Sequence, residues 1–347
     1  MKPLFGTHAS GALAVRRTAD LASATCFTSG DASLFVGLGF ILNEFWDTGR
    51  LMRIAIAGAS GLVGSALIPE LENDGHEIVR LVRSTPKAGE IEWHPNQDEI
   101  DPATIDGFDA IINLAGESIA EGRWSDEKKK RIRDSRVNGT HLISEAIAKL
   151  ATKPRVFLCA SATGIYGDRG DEMLDELSES GGGFLAGVCR EWEKATEPAG
   201  KAGVRVVNLR FGPILARAGG MLEKMLTPFK MGLGGKIGSG KQYISWVGIE
   251  DVVAATKLAL NDDSIRGPLN IVSPKPVTNE RFTRALGEAL SRPTVMAMPA
   301  FAARLAFGEM ADEMLLVSQR VVPKRLNTAG FEFQNPDLES AIRKYVA

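Results

Sequence analysis

The chain has 347 residues, 44% hydrophobic and 24% charged, the makeup of a folded globular protein, which excludes the disordered and fibrous classes. At about 150 residues per domain, the length leaves room for roughly two domains. The 41 basic residues nearly balance 43 acidic ones at a net charge of −2, so no broad positive field gathers nucleic acid or anionic lipid. A small molecule is the expected partner.

Cys26, Cys159 and Cys189 contain no CxxC pair and cannot form a disulfide framework, which points to a reducing compartment and a cytoplasmic protein. His8, His76, His94 and His141 are too scattered for a zinc spacing, and no metal is expected. The most apolar run, from Ser33 to Leu42, falls well short of the roughly 20 residues that a bilayer requires, so no membrane partner is expected.

Residues 1 to 51 read as an extension rich in Ala, Ser, Thr and Gly, with Arg16 and Arg17 early. Such a composition suits an organellar leader. It equally suits a start codon assigned too far upstream, with Met52 as the natural start. Within it only Ser33 to Trp46 has the apolar character to dock, and residues 1 to 51 are expected to be dispensable for cofactor binding.

From Met52 onward, short apolar strands alternate with helices, the βα order of a parallel sheet covered on both faces. The strands are expected at 53–58, 77–82, 109–116, 155–161, 204–210 and 268–272. Gly75 should close the first helix and Pro69 should kink or shorten it. Ser125 should cap a long helix running to Leu150, and another helix is expected from Glu250 to Leu260. After Ser273 the pattern turns helical, with Thr278 capping one helix and Pro336 in the first turn of another. The fold class is therefore α/β: a Rossmann-type doubly wound parallel sheet over 52–272 with a smaller, mainly helical C-terminal substrate domain over 273–347.

Gly58-Ala-Ser-Gly61-Leu-Val-Gly64 follows the first strand and opens the first helix. Gly58 permits a tight turn, Gly61 close approach of a pyrophosphate, and Gly64 close helix packing, while the helix N-terminus attracts the anion. Ser60, Leu62 and Val63 belong to the same cradle. An NAD site calls for an acid at the end of the second strand, whereas this chain has Arg83 and Ser84, which suit a 2′-phosphate and favour NADP. A solvated strand-end arginine is the plain alternative. Ala115, Gly116 and Glu117 should pass beside the cofactor ribose.

GASGLVG, NLAG at Asn113 to Gly116 and SATGIYG at Ser161 to Gly167 together resemble the extended short-chain dehydrogenases/reductases, a group that includes nucleotide-sugar epimerases. NLAGESIAEGRW, RDSRVNGT, GLGGKIGSGKQYISWVGIEDV and VVPKRLNTAGFEF are similar to its atypical epimerase-like subfamily, which carries a C-terminal domain of unknown function. The resemblance covers Met52 to Ala347. It implies NADP bound across the C-terminal ends of the strands, and a substrate cleft roofed by the tail.

The wider family uses a Tyr-x-x-x-Lys pair that this chain lacks. Gly170 and Val247 stand four positions after Tyr166 and Tyr243, and the chain ends too soon after Tyr345. Leu185 and Cys189 align with the two positions. Three residues could substitute in the chemistry: Ser161, matching the family serine that bonds the substrate oxygen; Tyr166, as a protonated hydrogen-bond donor; and Glu117, toward a ribose hydroxyl or the substrate. Arg123 and Arg136 bring positive charge toward the same cleft or are solvated helix arginines. Cys189 reads as packing, and the QYISWV segment with Tyr243 and Trp246 reads as lining the substrate side, with core packing the plain alternative for aromatics at strand spacing. The function expected is an NADP-dependent oxidoreductase or epimerase-like enzyme acting on a small polar substrate. A non-catalytic NADP-binding sensor or scaffold is the alternative, and a homodimer is compatible with either.

Overall fold

In the computed structural model, residues 51–217 and 219–347 are described; residues 1–50, including the expected docking stretch from Ser33 to Trp46, lie outside the described residues. Seven parallel strands form the central sheet: β1 (Arg53–Ala57), β2 (Glu77–Val82), β3 (Glu90–Glu92), β4 (Ala110–Asn113), β5 (Val156–Ala162), β6 (Arg205–Phe211) and β7 (Gly267–Ile271). Their order across the sheet is β7-β6-β5-β4-β1-β2-β3. That order reverses between β1 and β4, and the crevice outside the strand ends at such a switch point is where doubly wound sheets bind ligands.

Side-chain alternation along β1 shows why the inner strands read as largely apolar. Ile54 and Ile56 enter one core with Leu67, Leu71 and Val252, while Ala55 and Ala57 enter a second core with Ile143, Ile147 and Trp192. The first face is covered by α1 (Leu62–Asn73) and the second by α2 (Asp126–Lys149) and α3 (Phe184–Lys194). Each fully buried leucine contributes roughly 1.5–3 kcal/mol.

Local signals place the helix ends. Gly75 takes φ +89° just beyond α1, and Ser125 Oγ accepts from Lys128 N at 3.2 Å to cap α2. Pro69 does not shorten α1, which continues to Asn73. Pro69 and Ser65, whose carbonyl loses its helical partner, are both exposed, so water can take the missing bond.

Beyond the sheet lie α4 (Glu197–Lys201), α5 (Gly220–Lys230), α6 (Ile249–Asn261), α7 (Asn279–Leu290), α8 (Ala300–Phe307), α9 (Lys324–Thr328) and α10 (Leu338–Val346). Thr278 caps α7 by accepting from Arg281 N. Pro336 precedes α10 instead of lying in its first turn: the backbone N–H groups of Gln334 and Asn335 donate to Asp251, and Asp337 is the N-cap. Trp246, Phe282, Ile342 and Tyr345 form the apolar centre of the tail region. No helix among the described residues is long and apolar enough to cross a membrane.

Candidate functional site

Gly58 holds φ +80°, and a Cβ built on it would lie 2.6 Å from the carbonyl carbon of Leu114. The loops leaving β1 and β4 therefore touch at the switch point, and only glycine permits it. A Cβ on Gly64 would lie 2.5 Å from Gly58 O, so the helix is equally close to the turn. Gly61 is the N-cap of α1 with no side-chain cap, and Ser60 and Gly61 are exposed. Without a cap, the first-turn N–H groups of Leu62, Val63 and Gly64 remain available to an anion. The cradle fits a dinucleotide pyrophosphate.

Arg83 and Ser84 leave β2 just past Val82. Both are exposed, and neither bonds to any described residue.

The end of β4 is held from below. Asn113 is buried, donates from Nδ2 to Thr140 Oγ1 at 2.8 Å and accepts from Ala115 N at 3.1 Å, which fixes the turn into Gly116. Glu117 N donates to Ser135 Oγ at 3.0 Å. The Glu117 carboxylate takes Lys128 Nζ at 2.7 Å and Arg131 Nε at 3.1 Å. The hydrogen bond from Lys128, with support from Arg131, holds its pKa below the usual carboxylate value. Glu117 is thus an ionised acceptor at neutral pH. Arg136 lies beside Gly116, and Arg123 reaches toward Gly308 in the tail.

Ser161 and Tyr166 belong to a buried polar network. Ser161 Oγ donates to Glu193 Oε1 at 2.7 Å, and Arg210 binds both oxygens of Glu193 at 2.8 Å through Nε and Nη2. Arg210 Nη1 also donates to Tyr166 Oη at 2.9 Å. The phenol, fully buried, lies 2.8 Å from Asn270 Oδ1 and 3.0 Å from the Asp175 carbonyl. Burial pushes its pKa up despite Arg210. Both hydroxyls thus have their protons engaged within the protein and keep lone pairs that accept a further hydrogen bond.

Sequence reasoning missed Glu193 and Arg210. Two signals were present: Glu193 continues the face of α3 set by Leu185 and Cys189 at four-residue spacing, and Arg210 is a charged residue near the C-terminal end of an inner strand. Cys189 is buried, its thiol pushed up to about 12 by burial, in keeping with packing. Trp246 does not line the substrate side: its indole is fully buried in the tail core, while Tyr243 is half-buried beneath Arg320.

The tail reaches the cleft through acids. The Glu313 carboxylate accepts from Phe184 N and Leu185 N, both at 2.9 Å, and so caps α3. Glu309 pairs with Lys129 of α2 at 2.8 Å. Trp124 meets the Phe184 ring edge-on at 5.4 Å between centroids. Among the described residues, no group of three or more His, Cys, Asp or Glu is placed to hold a metal ion.

Comparison with known proteins agrees with this geometry. Residues 54–271 match the NAD dependent epimerase/dehydratase family, and residues 298–345 match a domain of unknown function, DUF1731. An epimerase family protein of Mycobacterium leprae is 44% identical over 294 residues, 84% of this chain and 95% of that one. The chloroplastic SDR39U1 homolog of Arabidopsis thaliana is 37% identical over 84% of this chain and 86% of its own. The crystal structure of the human epimerase family protein SDR39U1 with NADPH superposes with a TM-score of 0.79 at 32% identity, covering 85% of this chain and 99% of that one. With its Rossmann sheet, its glycine cradle at the switch point and its DUF1731 tail, the chain belongs to the NAD dependent epimerase/dehydratase family.

Proposed function

We propose that this chain is an NADP-dependent oxidoreductase or epimerase-like enzyme acting on a small polar substrate. The observation that carries the cofactor choice is Arg83 with Ser84: an unpaired guanidinium and a hydroxyl stand where an NAD site would place an acid. The human relative solved with NADPH supports the same choice. The N–H groups of Leu62, Val63 and Gly64 would hold the pyrophosphate, Arg83 and Ser84 the 2′-phosphate, and Ala115 to Glu117 the ribose side. The nicotinamide supplies hydride exchange when bound.

Glu117 is the residue this reading keeps at the cleft, as an ionised group that accepts a ribose or substrate hydroxyl. Ser161 and Tyr166, anchored by Glu193 and Arg210, are in this reading the hydroxyls that meet the substrate oxygen. A reducing compartment suits the unpaired, buried Cys159 and Cys189. A cytoplasmic location is adopted, with an organelle the alternative raised by the plant relative.

The second reading, a nucleotide sensor, is favoured by one specific observation: both expected catalytic hydroxyls are bound within the protein. Calorimetric titration with NADPH, followed by an absorbance screen of NADPH oxidation against carbonyl substrates, separates the two. Turnover with any carbonyl supports the enzyme, whereas tight binding with no turnover across the screen supports the sensor.

A further inference from the structure

Arg136 is a cation with few partners at the end of β4. It rises from α2 and lies against the end of β4, its Cζ 3.2 Å from the position a Cβ on Gly116 would take. Its guanidinium stacks over the Trp192 ring at 5.2 Å from Cζ to the centroid. Of its donors, only Nη1 finds an acceptor among the described residues, the Ile132 carbonyl at 3.0 Å. No carboxylate there lies within ion-pairing distance. Burial works against its charge, and the nearby Glu117 recovers only part of the loss because Lys128 and Arg131 already claim that carboxylate.

The placement says which ligand would complete it. Gly58 to Gly64 and Arg83 lie at the ends of β1 and β2, on one side of the switch point, and would take the adenine half of a dinucleotide. The other half then falls across β4 toward β5, where Arg136 stands. On that side α3 presents Leu185, the neutral thiol of Cys189, and Glu193, whose charge Arg210 already neutralises. Arg136 therefore stands between α2 and α3 with spare donors and, unlike Lys128 and Arg131, no carboxylate paired to it among the described residues.

We propose that Arg136 binds the nicotinamide half of the cofactor, supplying from α2 the positive charge that α3 does not carry at Cys189. This rests on the NADP reading above and adds to it a residue outside the motifs that carry that reading. The guanidinium would donate to ribose or phosphate oxygens of that half, with Trp192 holding its plane and Gly116 leaving it room.

The test compares two ligands on the full chain by calorimetry: NADPH, and 2′,5′-ADP, which keeps the adenine half with its 2′-phosphate and lacks the nicotinamide half. Arg136→Met should weaken NADPH about tenfold, roughly 1.4 kcal/mol, and leave 2′,5′-ADP unchanged, which also shows that the variant is folded. Arg136→Lys should recover part of the loss. Equal weakening of both ligands, or no change in either, would overturn the proposal. Wild-type protein that bound neither ligand would instead overturn the NADP reading itself.

Discussion

Glu193 receives the Ser161 hydroxyl at 2.7 Å on one side and the Arg210 guanidinium at 2.8 Å on the other. The three residues come from α3, β5 and β6, so the bond ties the helix that would carry the family's catalytic pair to the sheet floor. Where relatives with that pair place chemistry on α3, this chain places apolar Leu185, a neutral thiol and a neutralised carboxylate.

Arg210→Met should unfold the chain more easily by about 3–5 kcal/mol, because it leaves the Glu193 carboxylate buried without its partner. Adding Glu193→Leu should restore much of the loss. Chemical denaturation of the single and double variants measures both, and a double variant as unstable as the sum of the singles would contradict the pairing.

Capping by the tail is separable from the core. Glu313→Ala leaves Phe184 N and Leu185 N without an acceptor and should cost about 1 kcal/mol, within the range of about 0.5–2 for cap removal. The comparison to make is with Glu339→Ala, a half-buried carboxylate paired with exposed Arg281, which should cost less. An equal effect would mean that the cap adds nothing beyond a surface ion pair.

Glu176 gives a pH dependence with a definite sign. Burial raises its pKa above the unfolded value, while Oε1 accepts from Asn270 N and Arg325 N and Oε2 is buried without a partner. Its share of stability is complete below the unfolded pKa and is lost as pH rises through the folded one. Glu176→Gln removes that loss. Relative to wild type, the variant should therefore gain stability as pH rises from about 4 and level off once pH has passed the folded pKa. Paired melts across pH test this, and a gain that shrinks with rising pH would refute the assignment.

Six of the seven strands and the glycine cradle were legible in the sequence because they depend on local patterns, whereas the short edge strand β3, Glu90-Ile91-Glu92, has no apolar run to mark it. Apolar strands buried on both faces and a glycine spacing between strand and helix need no knowledge of distant partners. Pro69 misled as to the helix length, because the cost of a helix-interior proline depends on whether the freed carbonyl can reach water, and Ser65 is exposed. Ser161 and Tyr166 were recognisable as residues, yet their orientations were not. The groups that bind them, Glu193 and Arg210, lie 32 and 44 residues away along the chain. Trp246 shows the same limit: whether an aromatic at strand spacing faces a cleft or a core is decided by the tail helices that pack over it.

The central claim is NADP recognition through the end of β2, and Arg83→Ala tests it most directly, titrated by calorimetry against NADPH and NADH beside the wild type. Wild type should prefer NADPH by at least about tenfold, near 1.4 kcal/mol. The variant should lose most of that preference through weaker NADPH binding, with NADH affinity unchanged. Equal affinity of wild type for the two cofactors, or an undiminished preference in Arg83→Ala, would contradict the account.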